Sequence, residues 1–275
     1  MKFGCHISIR NGYFGAAQTA LKIGARAFQY FPKNPRSLKI KSHDRRDAGK
    51  CADFCKEHGI ASIAHAPYPT NLSVPKPELQ EPIIASILND LEIVENCGSV
   101  GLVVHFGSYK GEPLEGYKRM ITVLNKVLSQ WNGKSLLLIE NTAGKGGELG
   151  TTFEELVKVR QLAEKPEKIG FCLDTCHAFA SGLWDGKNWE KVATKGEKLG
   201  YFEHLKAIHL NNSMYDTGSR RDRHANIHNG QIEISQMKTF MTSPIVKDIP
   251  MILETPSSEQ YSHEDEIAYL KQLVK

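Results

Sequence analysis

Six strand-like apolar runs of the sequence end in a side chain that can bind a metal ion or move a proton. These side chains are His65, His105, Glu140, Asp174, His209 and Glu254. If they converge, burial raises the energy of the clustered carboxylates unless cations or hydrogen-bond donors compensate. If these six residues served unrelated structural roles, we would not expect all six strand ends to carry residue types that bind metals. The pattern therefore predicts a multinuclear metal centre.

Three further residues extend this set. His177 follows Asp174 by three residues, while Asp222 and His224 lie two residues apart after the seventh run. An extended segment can turn residues i and i+2 to the same side. Imidazole and carboxylate ligands suit Zn²⁺, with Mn²⁺ or Fe²⁺ as alternatives.

The elements that must position these residues follow from the apolar pattern. Strand-like runs occupy residues 3–9, 27–31, 62–66, 101–106, 135–140, 170–174, 205–210 and 250–254. They are rich in Val, Ile, Leu and Phe, as is typical of parallel strands buried on both faces. Helix-like segments lie between them, one of them introduced by a predicted capping box at 151–154.

Eight strands alternating with about eight helices predict a single (β/α)8 barrel domain over residues 1–275. The C-terminal ends of barrel strands meet at one rim, where catalytic groups lie. An open doubly wound sheet is the alternative. No glycine-rich nucleotide loop follows the first strand, and the count of eight favours the closed barrel.

Composition narrows the function classes. The net charge of +4 excludes a histone-like polycation but allows a local basic patch. No apolar run approaches the ~18 residues of a membrane span. The first residues have the pattern of a strand and not of a secretory signal, and the six cysteines form no C-x-x-C pair. We therefore expect free thiols in the cytoplasm, with Cys172 and Cys176 as packing residues beside Asp174.

The chain resembles the endonuclease IV family of zinc-dependent apurinic/apyrimidinic endonucleases. The similarity runs from the first strand to the last helix. Its most specific segments are FCLDTCHAFASG at 171–182, HLNNS at 209–213 and GSRRDRH at 218–224. Supporting segments are KNPR at 33–36, HAPY at 65–68, IENTAG at 139–144 and LETP at 253–256.

The resemblance implies three Zn²⁺ ions held by nine ligands at the barrel rim. It assigns His65 and His105 to the first ion, with Glu140 bridging the first and second. Asp174, His209 and Glu254 are the other ligands of the second ion. His177, Asp222 and His224 belong to the third. All nine positions carry the residue type that the family requires.

The implied activity is hydrolysis of the phosphodiester 5′ to an abasic site in double-stranded DNA, leaving a 3′-hydroxyl. Close metal ions can activate a water and stabilise a leaving oxygen, and Glu140 or Glu254 could position that water. The implied DNA contacts are Lys33, Arg36, Tyr68, Arg220 and Arg223. Neighbouring Lys145 and Arg221 could meet phosphates as well. Family members are commonly monomeric, and no obligate protein partner is implied.

Four residues depart from the usual family pattern: Pro69, Phe106, Asn212 and His228. They follow or adjoin the proposed ligands and DNA loops, so they predict an altered DNA-facing surface beside an intact metal centre. Two other functions remain open from the sequence. One is a metal-dependent sugar isomerase or epimerase of the related barrels, which the third ligand set argues against. The other is a DNA-binding relative with weakened catalysis.

Overall fold

A computed structural model of the protein describes residues 1–74 and 76–275. The strands are β1 (Phe3–His6), β2 (Ala27–Tyr30), β3 (Ala61–His65), β4 (Gly101–His105), β5 (Leu136–Glu140), β6 (Ile169–Asp174), β7 (Leu205–His209), β8 (Asn212–Ser213), β9 (His224–Ala225) and β10 (Met251–Leu253). All except β8 and β9 form a closed parallel barrel in which β1 pairs with both β2 and β10. The predicted (β/α)8 barrel is confirmed. Strands β8 and β9 form a small antiparallel sheet above it.

Nine α-helices occur in the described residues. They are α1 (Gly12–Lys22), α2 (Arg45–His58), α3 (Gln80–Asn96), α4 (Pro113–Gln130), α5 (Phe153–Leu162), α6 (Thr175–Ser181), α7 (Trp189–Lys198), α8 (Ile234–Thr242) and α9 (His263–Leu273). Their apolar faces pack on the outside of the barrel in one continuous core. No helix among residues 1–74 and 76–275 has both the length and the apolar character needed to span a membrane.

Several predicted boundaries shift by a few residues. Strand β1 ends at His6 instead of residue 9, and β10 ends at Leu253, so Glu254 follows its strand. The capping box lies one residue later than predicted: Glu155 N donates to Thr152 Oγ1 at 3.3 Å, and Thr152 N donates to Glu155 Oε2 at 2.9 Å. Thr152 has the extended backbone that an N-cap requires.

A separate apolar layer fills the barrel interior directly beneath the rim. It consists of Ala27, Ile63, Val103, Leu138, Cys172, Ala207 and Ile252. Side chains of a strand alternate between its two faces. The residue two positions after each member therefore also points inward, one layer higher. Those residues are Gln29, His65, His105, Glu140, Asp174, His209 and Glu254. The alternation thus places six predicted ligands and one glutamine on a common apolar floor.

Candidate metal centre

The rim residues surround a cavity of about 600 Å³ at the C-terminal ends of the strands. Predicted ligands His65, His105, His177, Asp222, His224 and Glu254 line it. The cavity wall also includes Phe31, Tyr68 and Thr142, which come from the loops after β2, β3 and β5. Ligand-type side chains form four overlapping sets around this cavity and beneath it, and the two sets that share His224 are described together as the third group.

The first group joins His65, His105 and Glu140, whose ligand atoms lie within 4.8 Å of one another. Glu140 Oε2 lies 3.1 Å from His105 Nε2 and 3.6 Å from His65 Nε2. The two imidazole Nε2 atoms are 3.2 Å apart. These are the residues that the family resemblance assigned to the first metal ion, and the structure brings them together.

The second group joins Glu140, Asp174, His209 and Glu254 within the same distance. His209 Nδ1 lies 2.8 Å from Glu140 Oε1, 3.3 Å from Glu254 Oε2 and 4.0 Å from Asp174 Oδ2. Glu140 thus belongs to both groups, with one oxygen toward each. This position is the one expected of a bridging carboxylate.

The third group surrounds Asp222. Its Oδ1 lies 3.4 Å from His177 Nε2 and 3.3 Å from His224 Nε2. His224 belongs to two triads of ligand-type residues. One triad also contains Asp174 and His177, and the other also contains Cys176 and Asp222. Burial raises the pKa of the Cys176 thiol to about 12, and the thiol lies 3.7 Å from the Arg223 carbonyl, to which it donates. A protonated thiol is a poor ligand, so His177, Asp222 and His224 fit the third position best.

Backbone carbonyls orient three of the imidazoles. His65 Nδ1 lies 2.7 Å from the Ala66 carbonyl, His177 Nδ1 lies 2.9 Å from that of Asn141, and His224 Nδ1 lies 3.3 Å from that of Glu254. A carbonyl only accepts, so each Nδ1 carries a proton, and in the neutral ring the lone pair is on Nε2, which faces the centre. This arrangement prepares the rings for metal coordination.

Two amides in the centre were missed by the sequence analysis. Asn211 Nδ2 donates to Asp174 Oδ2 at 2.7 Å, and its Oδ1 accepts from the Glu254 backbone N–H at 2.8 Å. Gln29, on β2, contacts His209 and Glu254. Neither Asn211 nor Gln29 is of a residue type that was counted as a metal ligand, so the pattern did not select them. The signal for Gln29 was its place as the last inward residue of its strand, two positions after Ala27.

The charges of the centre shift one another's pKa. Burial opposes protonation of His177, but Asp174, Asp222 and Glu140 outweigh it and raise its pKa well above the ordinary value. Burial also opposes ionisation of Glu140, yet His209 and His105 hold its pKa well below the usual range. Against burial, contact with Asp222 raises the pKa of His224 to about 9. A cation that binds here therefore displaces protons from the imidazoles.

The donor set fits divalent metal ions. Glu140 Oε2 and His224 Nε2 are buried without a hydrogen-bond partner among the described residues, although buried polar atoms are nearly always satisfied. Carboxylate oxygens and imidazole nitrogens converge in these groups, and bound cations would satisfy them together. Nitrogen and oxygen ligands without a thiolate are a set that Zn²⁺ accepts.

Comparison with known proteins decides the family. A family model described as a xylose isomerase-like TIM barrel matches residues 17–273. A probable endonuclease 4 of Symbiobacterium thermophilum is 45% identical over 276 residues, covering 100% of both chains. The chain belongs to the endonuclease IV family. The crystal structure of endonuclease IV from Thermus thermophilus superposes with a TM-score of 0.85 at 32% identity, covering 99% of this chain and 97% of that one.

The endonuclease IV family shares its barrel with sugar-converting proteins. The crystal structure of a D-tagatose 3-epimerase-like protein has a TM-score of 0.74 to this chain at 16% identity. At that identity the likeness shows the fold alone, since one fold supports many chemistries. The full-length sequence identity to a probable endonuclease 4 is what favours the endonuclease over the sugar epimerase.

Two loops that the sequence predicted to contact DNA carry exposed residues beside the cavity. Tyr68 is 69% exposed, and its ring meets Phe31 edge-on at 5.2 Å between centroids. Its backbone N–H donates to the Pro35 carbonyl at 2.8 Å, which ties the loop after β3 to the loop that carries Arg36. Arg36 is also exposed. Both residues therefore lie on one surface beside the cavity.

Lys33 is placed differently from its prediction. Only 5% of it is exposed, because its ammonium lies 3.1 Å from Asp90 Oδ1 and 2.9 Å from Ser86 Oγ, both on α3. This position contradicts a phosphate contact by Lys33. A buried ammonium needs a paired carboxylate, and the pair instead holds the loop after β2 against α3.

Lys33→Met is therefore expected to destabilise the fold without removing a DNA contact. Losing one partner of a buried ion pair costs about 3–5 kcal/mol. We expect the lower end, because burial raises the pKa of Asp90 to about 7 and lets it take up a proton. Denaturant unfolding measures the loss, and Lys33→Met/Asp90→Leu should recover most of it. If Lys33→Met instead lowered the salt dependence of DNA affinity by the amount expected for one lost phosphate contact, Lys33 would be a DNA contact as the sequence predicted.

A basic group lies beside Asp222. Lys145, Arg220, Arg221 and Arg223 line a second, smaller hollow with Tyr215 and Asp222. Arg220 has a left-handed backbone, with φ of 54°, and its N–H donates to the Ala180 carbonyl at 2.9 Å. Arg220 and Arg223 are both exposed. The structure thus brings them together at the edge of the third ligand group.

Two departures from the endonuclease IV pattern lie away from the cavity. Phe106 is fully buried and lies beneath Gly150, where a Cβ would meet its ring at 2.4 Å. His228 is exposed, but its ring lies 4.5 Å from that of Tyr261, just before α9, and 6.1 Å from that of Tyr269 on α9, between centroids. Neither residue lines the cavity. The expected alteration of the DNA-facing surface is thus narrower than the sequence indicated, and exposed Pro69 beside Tyr68 remains its main candidate.

Asn212 has a structural role in the turn after β9. Its Nδ2 donates to the carbonyls of Ile227 and Ile232 at 3.0 and 2.8 Å, and its Oδ1 accepts from the Ile232 N–H at 2.9 Å. A Cβ on Gly230 would lie 2.3 Å from Asn212 Oδ1, so the turn keeps its glycine there. An aspartate could not donate to two carbonyls. The asparagine therefore suits this turn and contacts no ligand group.

Proposed function

We propose that the protein is a DNA repair endonuclease that hydrolyses the phosphodiester 5′ to an abasic site and leaves a 3′-hydroxyl. The observation that carries the proposal is the convergence of ligand groups on one rim, with Glu140 common to two of them and Asp222 close to both His177 and His224. The full-length likeness to endonuclease 4 proteins supports it. The oxygen- and nitrogen-rich site also suits a phosphate substrate once cations balance its carboxylates.

Nine residues would hold three Zn²⁺ ions in this proposal. His65, His105 and Glu140 would hold the first ion, Glu140, Asp174, His209 and Glu254 the second, and His177, Asp222 and His224 the third. When bound, such ions lower the pKa of a water and neutralise charge on the reacting phosphodiester. The same ligands accept Mn²⁺ or Fe²⁺, so the metal present in cells is a matter for measurement.

Glu254 is better placed than Glu140 to orient the attacking water. The side chain of Glu254 is 20% exposed and lines the cavity, whereas that of Glu140 is 1% exposed. Against burial, the charges of His209 and His224 lower the pKa of Glu254 to about 2, so it is a carboxylate at neutral pH. An ionised, accessible oxygen at the rim can accept a hydrogen bond from water.

Arg36, Tyr68, Arg220 and Arg223 would contact double-stranded DNA. Arg36 and Tyr68 lie on joined loops at one side of the cavity, and the two other arginines form a basic group with Lys145 and Arg221 beside Asp222. Phosphate contacts of this kind position a duplex without reading its sequence. Extruding a damaged nucleotide costs less than extruding a paired one, which favours abasic DNA. We propose that the protein acts as a monomer.

The experiment that tests the function uses a duplex with one tetrahydrofuran abasic analogue and an intact duplex as control. We expect metal-dependent cleavage 5′ to the analogue and none in the intact duplex. A DNA polymerase should then extend the nicked strand, since extension requires a 3′-hydroxyl. Absence of incision at every metal loading, together with turnover of a ketose, would contradict the proposal in favour of an isomerase. Binding of the duplex without incision would indicate a relative with weakened catalysis.

Arg36→Ala is expected to weaken binding of the abasic duplex about tenfold while metal content stays unchanged. Losing a charge-assisted contact of about 1.4 kcal/mol gives that factor. Fluorescence anisotropy measures the affinity. Arg26→Ala is the matched control, because Arg26 is exposed at the start of β2, at the opposite end of the barrel. Equal affinity of Arg36→Ala and Arg26→Ala would show that this loop does not meet DNA.

A further inference from the structure

One imidazole of the centre is oriented by a side chain instead of a backbone carbonyl. His209 turns Nδ1 toward Glu140 and the other carboxylates, at 2.8 Å from Glu140 Oε1. Its Nε2 lies 2.7 Å from Gln29 Oε1. His65, His177 and His224 show the reverse arrangement, with Nδ1 on a carbonyl and Nε2 toward the centre. Gln29 is thus the side chain that holds the outer nitrogen of His209.

The hydrogen bonds of Gln29 determine its orientation. Its Nε2 donates to Glu254 Oε1 at 2.6 Å. An ionised carboxylate only accepts, so the amide N–H₂ must face Glu254 and the amide oxygen must face His209. That oxygen also only accepts, so His209 must carry a proton on Nε2. The lone pair of His209 Nδ1 is therefore directed at the second ligand group.

The second amide hydrogen has its own acceptor. Gln29 Nε2 lies 3.3 Å from His6 Nδ1, and the His6 ring lies 4.6 Å from that of Phe31 between centroids. Gln29 itself is fully buried. Three of the four hydrogen-bonding positions of the amide are therefore used, which holds the group rigidly between two ligands that are 45 residues apart in the chain.

We infer that Gln29 is a positioning residue that fixes the tautomer of His209 and the rotamer of Glu254, and so sets the affinity for the second metal ion. The inference rests on the proposed metal centre. Groups that hold a metal-ligating imidazole by its outer nitrogen contribute to affinity, and their loss typically costs about 10–100-fold. Gln29→Met, which is similar in shape, removes the hydrogen bonds to His209 and Glu254 as well as the contact with His6.

The first test measures metal affinity by competition with a chromophoric chelator and metal count by native mass spectrometry. For Gln29→Met we expect one ion per chain to bind about 10–100-fold more weakly while the other ions stay at wild-type affinity. Gln80→Met is the matched control, because Gln80 is a buried glutamine on α3 that accepts from Lys126 Nζ at 3.0 Å. It should bind metal like the wild type. Gln29→Met with wild-type affinity at every position would overturn the inference.

The second test needs no variant and reads the tautomer directly. In ¹⁵N-histidine-labelled, zinc-loaded wild-type protein, His209 should show a protonated Nε2 and a metal-shifted Nδ1, whereas His65, His177 and His224 should show the reverse. A His209 ring protonated on Nδ1 would overturn the inference even if the variant failed to fold. If the wild type binds no metal, the proposed function fails instead, so the two failures are distinguishable.

Discussion

Glu140→Gln is expected to abolish incision while the barrel still folds. Glu140 is fully buried, and its two oxygens lie toward different ligand groups, at 3.1 Å from His105 Nε2 and 2.8 Å from His209 Nδ1. An amide has the same shape but no charge, and it offers only one acceptor. Removing one charged partner from such a network costs about 3–5 kcal/mol, which corresponds to about 10²–10⁴ in metal affinity. Metal content and single-turnover incision of an abasic duplex measure the loss.

Glu266→Gln is the matched control for neutralising a buried carboxylate. Glu266 is fully buried on α9 and accepts from Asn226 Nδ2 at 2.9 Å and from the Ile227 N–H at 2.7 Å. It contacts none of the nine proposed ligands. We expect this variant to lose stability but to retain metal and incision. Wild-type incision by Glu140→Gln would defeat its assignment as the bridging ligand.

Removing the metal ions is expected to lower the melting temperature by about 10 °C. A ligand present at a thousand times its Kd stabilises the native state by about 4.1 kcal/mol. For a chain of this size, each kcal/mol shifts the midpoint by roughly 2–4 °C. Without cations, the carboxylates of Glu140, Asp174 and Glu254 are compensated only by nearby imidazoles and by uncharged N–H donors such as the Asn211 and Gln29 amides. Scanning calorimetry with and without a strong chelator measures the shift.

Chelator already saturated with zinc is the control for direct effects of the chelator on the protein. It should leave the melting temperature unchanged, and added Zn²⁺ should restore the midpoint of the stripped protein. A stripped protein that melts within about 1 °C of the loaded one would mean that the rim does not bind metal with useful affinity.

Six of the nine proposed ligands could be predicted from the residues themselves because their positions follow a local rule, whereas the assignment of His177, Asp222 and His224 to a third ion came from the family resemblance. Each of His65, His105, Glu140, Asp174 and His209 is the last residue of its strand. In each case the residue two positions earlier lies in the inner apolar layer. Strand periodicity and the barrel's rim geometry are sufficient to bring such residues together.

Other parts of the site depend on contacts between distant residues. Gln29 meets Glu254 across 225 residues of sequence, and nothing near Gln29 indicates that partner. Lys33 looks like a surface cation beside Arg36, but it pairs with Asp90, 57 residues later. An exposed lysine and a buried, paired one have the same local sequence pattern. Tertiary packing alone decides between them.

Boundaries and turns were also beyond local rules. Both Thr151 and Thr152 have a glutamate three residues later, and the structure selects Thr152 as the cap. Asn212 resembled the loss of a carboxylate near the ligands, yet it donates to two carbonyls of the turn at residues 227–232. Its role depends on a close approach by Gly230 that only the folded chain shows.

Native mass spectrometry of the wild-type chain, after reconstitution with Zn²⁺ and removal of loosely bound metal, counts the ions that the rim holds. We predict three ions per chain, one for each group formed by the nine rim residues. Two ions or fewer at saturation would contradict the three-metal centre.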